Sequence, residues 1–147
     1  MDDLQSILNL YAQLFSNTDQ AEENTGDVLP SHRKALSEIN RNPDSHLLVV
    51  ESSGSVLGTV ALTMIANLSH RGRRWAVIEN VVVDEHARRS SIGTALMQYA
   101  IALALDQGCF RVVLSSSVHR ETSHKFYERL GLKAYGYSFE RYLLCDK

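Results

Sequence analysis

The sequence predicts an α+β (α/β) chain in which a mixed, mostly antiparallel central sheet is flanked by helices. Three observations lead there. The first is an apolar stripe at helical spacing near the start, Leu4, Ile7, Leu8, Tyr11, Leu14 and Phe15. The second is a series of β-rich stretches joined by short polar turns between residues 46 and 83, the pattern of an antiparallel meander. The third is a strand, helix, strand order from Trp75 to Leu114, whose crossover implies a parallel pair.

Each element has its own warrant. The stripe predicts helix one over residues 2–16. A polar stretch from Asn17 to Leu29 then leads to Pro30-Ser31, where Ser31 is positioned to cap a second helix ending near Arg41, and Asn42-Pro43 stops it. His46 to Val50 reads as a strand, Ser52-Ser53-Gly54-Ser55 as a turn, and Val56 to Ala66 as a second strand interrupted by Gly58. A polar loop, Asn67 to Arg74, precedes the strand Trp75 to Val83. Ile92, Ala95, Leu96, Tyr99, Ala100 and Leu103 define a strongly apolar helix closed by Gly108, and Phe110 to Leu114 follows as a short central strand. A short helix over residues 122–130 and a last strand over residues 139–144 complete a single expected domain, 1–147.

Composition excludes several classes. The 147 residues, 44% hydrophobic and 22% charged, suit one soluble domain. A formal net charge of −2 argues against a general nucleic-acid binder. Cys109 and Cys145 are too few and too far apart for a CxxC or disulfide framework, so they read as free thiols in a reducing, cytoplasmic setting. No apolar run reaches the ~18 residues of a membrane span, and no leader pattern is present. Six histidines invite a metal site, but no HExxH or Cys/His cluster appears, and none is expected.

The most informative run is Glu79-Asn80-Val81-Val82-Val83-Asp84-Glu85-His86-Ala87-Arg88-Arg89-Ser90-Ser91-Ile92-Gly93-Thr94-Ala95-Leu96. It joins a β-branched strand to a basic, small-residue turn that opens an apolar helix. The first amides of a helix have no internal partners and carry the positive end of its dipole, so such a turn can cradle a pyrophosphate. No Gly-Lys-Ser or Gly-Lys-Thr follows, which separates the turn from a P-loop.

This order resembles the acetyl-CoA signature of GNAT-type N-acetyltransferases, a Gln or Arg, two residues, Gly, one residue, then Gly or Ala. Arg88, Ser91 and Gly93 occupy those places. Ser91 replaces the middle glycine, and Arg89 stands where a glycine is often found. Ser keeps the loop if its φ is negative, whereas a glycine placed for positive φ would not be so cheaply replaced. Downstream, His124-Lys125-Phe126-Tyr127-Glu128-Arg129-Leu130-Gly131-Leu132 resembles the closing signature of the same superfamily, with a further likeness to aminoalkylphosphonate N-acetyltransferases. Relatives usually begin with a strand before helix one, whereas Met1 here almost directly precedes it; either that strand is missing or the start is shortened.

The resemblance implies acetyl-CoA as cosubstrate, a parallel pair splayed at the coenzyme, and roles for particular residues. Val81, Val82 and Val83 would bind the pantetheine arm through their backbone like an added strand. Arg88, Arg89, Ser90, Ser91, Ile92, Gly93 and Thr94 would hold the pyrophosphate, and Arg120 would meet the coenzyme where relatives often carry an asparagine, or instead a phosphate or an acidic acceptor. Tyr127 would protonate the departing thiolate, a task suited to a phenol of pKa near 10. The residues themselves offer Glu79 as general base, by alternation on one face with Val81 and Val83, acting through water on an amine of pKa ~10.4. Alternatively Glu79 pairs with Arg73 or Arg74. The expected activity is direct acetyl transfer to the primary amine of a small molecule, by a cytoplasmic homodimer with no nucleic-acid or membrane partner. The alternatives are a protein or peptide N-acetyltransferase, or a non-catalytic acyl-CoA-binding or regulatory module.

Overall fold

The computed structural model describes residues 3–18, 20–21, 26–88 and 90–143. They form two compact units, Met1–Leu114 and Ser115–Lys147.

The first unit opens with helix α1, Leu4–Phe15, which buries Leu4, Ile7 and Leu10. Leu10, outside the expected stripe, is its most buried residue at 2% exposure. The stripe is therefore wide, because α1 packs on both β2 and β3, defined below. Helix α2 spans Pro30–Arg41 and starts two residues earlier than a Ser31 cap would place it. Its N-cap is Leu29, whose N–H donates to His32 Nδ1 at 3.1 Å, while Pro30 takes the first helical position, where a missing N–H costs nothing. Asn42, extended at φ −89, ψ 112 ahead of Pro43, ends the helix as expected.

Four strands follow in the order β1-β2-β3-β4: β1 Ser45–Ser52, β2 Ser55–Ile65, β3 Trp75–Val83 and β4 Val112–Leu114. β1 and β2 form a hairpin whose two turn residues, Ser53 (φ 51) and Gly54 (φ 79), are both left-handed, matching the twist of the flanking strands. Val60, Leu62 and Met64 of β2 and Ala76, Ile78 and Val82 of β3 lie in the core. Gly58 does not interrupt β2. A Cβ there would sit 3.1 Å from the Val82 carbonyl oxygen and 3.6 Å from Ile92 Cγ2, so the glycine lets strand, strand and helix start approach closely.

Between β2 and β3 the expected loop contains a left-handed turn, Ser69–Gly72, with φ of 52 at His70, 63 at Arg71 and 74 at Gly72. Left-handed backbone costs roughly 1–2 kcal/mol per non-glycine residue. Asn67 fixes the entry, accepting from Ser69 N–H at 3.2 Å.

Helix α3, Ile92–Asp106, packs against β1, β2 and β3 and buries Leu96, Met97, Ala100 and Ala104. Ala95 and Tyr99, expected in its apolar stripe, are exposed, and Met97 takes their place in the core. An almost uniformly apolar helix leaves its buried face undetermined by sequence. Gly108 (φ 77) closes it. β4 then runs parallel to β3, as the crossover implies, but only through Ala76, Ile78 and the residue between them, paired with residues 112–114. Among the described residues it is an edge strand of this sheet rather than a central one.

The second unit contains helix α4, Glu121–Arg129. Leu132 N–H donates to the Tyr127 carbonyl at 3.1 Å around Gly131 (φ 86), which ends the helix. The last strand expected is not formed over residues 139–143, and the rest of that prediction lies outside the described residues. Its large apolar residues Phe139, Tyr142 and Leu143 are exposed, as are Tyr135 and Tyr137 before them. Such residues suit a strand but do not supply the neighbouring edge that makes it one.

Candidate active site

Strand β3 changes geometry at Glu79. Ala61 of β2 pairs with Glu79, yet Thr59 pairs with Val82, so Asn80 and Val81 together oppose Val60. This is a β-bulge, with its first residue, Asn80, left-handed at φ 51. Asparagine tolerates that conformation far better than a β-branched residue. The bulge corrects the expected alternation: Glu79 shares a face with Val82, since their partners Ala61 and Thr59 share one, and Val83 falls on the other. Glu79 is exposed and does not take the alternative partners, because Arg74 pairs with Asp44 and Arg73 lies over Phe110.

Tyr11 of α1 meets this bulge. Its hydroxyl is hydrogen-bonded to the Asn80 side chain; burial pushes its pKa up, the Asn80 bond opposes this, and the nearby Glu79 carboxylate adds to the rise. Sequence reasoning placed Tyr11 only in the core stripe, since nothing local couples it to a residue so far along the chain.

Past Ile78 the pairing with β4 stops, so among the described residues no strand covers that edge of Glu79–Val83. The parallel pair therefore parts where the sequence reading expected it to. Alternate backbone N–H and C=O groups of Val81, Val82 and Val83 lie along the open edge, the arrangement used to bind an extended ligand as an added strand.

The turn beyond β3 is tied at several points. Asp84 N–H donates to the Leu57 carbonyl at 2.9 Å, and the Asp84 carboxylate accepts from His86 N–H at 2.9 Å and from Gln13 Nε2 at 3.0 Å. Gln13 also accepts from Glu85 N–H at 2.9 Å, so one α1 side chain braces both residues. The Gln13 hydrogen bond, then the His86 one, holds the Asp84 carboxyl below the usual range. Gln13 carried no sequence signal, because its partners lie about seventy positions away. A short 3₁₀ turn, Glu85–Ala87, follows, and Arg88 Nε donates back to the Val83 carbonyl at 3.2 Å. Arg89 lies outside the described residues.

Ser90 and Ser91 complete the approach to α3. The Ser90 hydroxyl donates to the Ala87 carbonyl at 2.5 Å and accepts from Ile92 N–H at 3.4 Å. Ser91 is the N-cap at φ −76, ψ 2, so the glycine it replaces is not needed for positive φ. At those angles its side chain makes no capping bond, although serine usually does at this position. Ala95 N–H reaches the Ser91 carbonyl at 2.9 Å, so Gly93 and Thr94 lie in the first turn, where amides have no intrahelical acceptor. Such a helix start favours an anion.

In the second unit Tyr127 is half-buried, and burial pushes its phenol pKa up while the Arg120 charge pulls it back. The hydroxyl thus stays protonated at neutral pH and able to donate. Arg120 precedes α4, its N–H donating to the Ser117 carbonyl at 3.0 Å. His124 Nε2 donates to the same carbonyl at 2.9 Å, and among the described residues no His, Cys, Asp and Glu group could hold a metal.

A four-stranded mixed sheet flanked by helices, with a bulged strand running through a basic turn into a helix start, defines the class: a mixed α/β protein with a parallel pair that parts beside the bulge. The chain belongs to the acetyltransferase (GNAT) family, whose family model matches residues 4–132. It is similar to the glucosamine 6-phosphate N-acetyltransferase of Trypanosoma brucei brucei, 34% identical over 85 residues, which are 58% of this chain and 56% of that enzyme. It is also similar to the aminoalkylphosphonate N-acetyltransferase of Salmonella typhimurium, 30% identical over 69% of this chain and 66% of that one. Among solved structures, a putative acetyltransferase from Agrobacterium tumefaciens superposes with a TM-score of 0.85 at 26% identity, covering 95% of this chain and 93% of that one. No helix among the described residues is long and apolar enough to cross a membrane.

Proposed function

We propose that the chain is a single-domain, acetyl-CoA-dependent N-acetyltransferase that acetylates the primary amine of a small molecule bearing a phosphate or phosphonate group. The observation that carries this reading is the bulged β3 edge leading to a helix start whose N-cap serine leaves the Gly93 and Thr94 amides uncapped. Acetyl-CoA supplies the acetyl group as a thioester. Val81, Val82 and Val83 hold its extended arm, while Arg88, Ser90, Ser91, Ile92, Gly93 and Thr94, with Arg89, hold its pyrophosphate. Glu79 takes the ammonium proton through water, freeing the nitrogen lone pair to attack the carbonyl carbon. As the C–S bond breaks, Tyr127 gives its proton to the sulfur, and Arg120 contributes charge beside it.

The acceptor class is supported by two relatives named for acceptors that combine an amine with a phosphate or phosphonate. A homodimer is supported by the exposed Tyr135, Tyr137, Phe139 and Leu143, and a reducing, cytoplasmic setting by the free, buried Cys109.

The test is thiol release from acetyl-CoA with glucosamine 6-phosphate, aminoalkylphosphonates, their unphosphorylated counterparts, polyamines and basic peptides, with calorimetric acetyl-CoA binding on the same sample. Release that requires an amine and is faster with the phosphorylated ones is expected. Equal rates without the phosphoryl group overturn the acceptor class; binding without release across the panel overturns the enzyme.

A further inference from the structure

The end of β3 away from the helix start carries a second cationic cluster that the transferase reading does not use. His70 stacks on Phe110 with ring centroids 4.3 Å apart and planes 21° off parallel. The Arg73 guanidinium lies 5.5 Å from the centre of the same ring and that of Arg111 5.4 Å from it, and Arg111 is also 4.8 Å from the centre of the Trp75 ring. Arg71, exposed, adds a charge at the tip, and Arg74 is paired with Asp44. β3 has nine residues, so at ~3.3 Å each the cluster is about 26 Å from Val83 and the coenzyme turn.

Two features separate this from an ordinary solvated hairpin tip. Cation-π contacts hold Arg73 and Arg111 against one ring, and Arg73 Nε also donates to the His70 carbonyl at 3.2 Å, so their planar forks are already ordered. The left-handed His70-Arg71-Gly72 turn places the chain's most basic stretch there in a costly conformation. An anion at this ring meets guanidinium groups that are ordered in advance, which lowers the cost of binding, and oxygens of a phosphoryl group match their paired donors.

We propose that His70, Arg71, Arg73 and Arg111, backed by Phe110 and Trp75, form a site for a small phosphate-bearing anion, distinct from the coenzyme turn. The ligand is a small polyphosphate or phosphate ester rather than a nucleic acid. The patch is confined to the β2–β3 turn and the Phe110-Arg111 segment beside it, and the chain carries a net charge of −2, without the basic field that long polyanions require.

Trp75 is the sole tryptophan and reports directly, since a ligand that draws Arg111 off its ring changes its emission. The experiment titrates sodium tripolyphosphate into the full chain at constant ionic strength and follows Trp75 fluorescence, with and without saturating coenzyme A. A saturable change unaffected by coenzyme A is expected, weakened about tenfold or more by Arg73→Ala, in line with loss of a charge-assisted hydrogen bond, and left intact by Arg88→Ala. Arg73→Gln, keeping the length without the charge, should weaken it similarly in a chain with unchanged circular dichroism. The same response to sodium sulfate, or loss of the response with coenzyme A or Arg88→Ala, overturns the proposal. So does binding of a single-stranded oligonucleotide that tightens with its length. None of these readouts depends on turnover, so they fail or succeed independently of the transferase reading.

Discussion

The two ends of strand β3 attract anions by different physics. Beyond Val83 the positive potential comes from backbone: the Gly93 and Thr94 amides of α3, left uncapped by Ser91 and aimed by a turn that Gln13, Asp84 and Ser90 tie down. At Trp75 it comes from side chains, guanidinium groups and an imidazole arranged on Phe110. Backbone donors keep their place whatever residue carries them, provided the chain path holds, so the first end is vulnerable to changes of path. The second is vulnerable to loss of single charges. That contrast ranks the substitutions that should matter.

The largest effect is expected at Glu79, where chemistry rather than binding is at stake. Glu79→Gln should lower kcat by about 100-fold or more while leaving coenzyme affinity within a factor of two or so, because a general base contributes typically ~100- to 10,000-fold. The loss should shrink as pH rises toward the amine's own pKa of about 10, where the acceptor arrives neutral. A kcat deficit that is flat across a pH-rate profile would remove Glu79 from the role of base.

Next comes the path of β3 itself. Asn80→Val places a β-branched residue at φ 51 and should destabilise by ~1–3 kcal/mol, with weakened coenzyme binding as the bulge relaxes. Asn80→Gly removes the Tyr11 hydrogen bond but keeps the φ, so most of the coenzyme affinity should remain. Equal damage from both in urea melts and calorimetry would mean that the side-chain bond, not the bulge, sets the path. Gly58→Ala tests the same path from β2: its methyl must push the Val82 carbonyl by a few tenths of an ångström, at about 1–3 kcal/mol. The Trp75 response at the far end should be unchanged in all three.

How much of this was legible in sequence follows from the range of the forces involved. β3 is found at its expected bounds, and Gly108 and Asn42-Pro43 end their helices, because those signals act over a few residues. The parallel pair followed from connectivity, since a single helix between two strands leaves one common handedness. The Asn80 bulge was not legible: period 2 predicts a face for every residue, and an inserted residue shows only in the pairing with β2. Gln13 and Tyr11 were missed for a related reason, as their partners belong to a strand far along the chain. The predicted strand after residue 139 erred in the opposite direction. Its aromatic and apolar residues suit a strand, but among the described residues nothing pairs with that backbone. Of the candidate site, the order of strand, small-residue turn and helix start was legible, and the hydrogen bonds that tie the turn down were not.

The smallest effect concerns Gln13, and its pH dependence has a definite sign. The folded Asp84 carboxyl titrates below its ordinary value, chiefly because Gln13 donates to it, so its stabilisation is present above the unfolded aspartate pKa and is lost as pH falls through the folded one. Gln13→Ala removes that bond together with the one from Glu85 N–H and should cost ~0.5–1.5 kcal/mol at neutral pH. Because Asp84 is largely solvated, the titrating part is screened and forms the lesser share. The urea midpoint of the variant should fall less steeply than that of the parent between about pH 5 and pH 2, since less linkage remains to lose. Coenzyme affinity should drop by only a few-fold, because Leu57, His86 and Ser90 still hold the turn. A large loss of affinity with little loss of stability would instead make Gln13 the principal brace of the first-turn amides, and the backbone end of β3 would then depend on one side chain as the arginine end does.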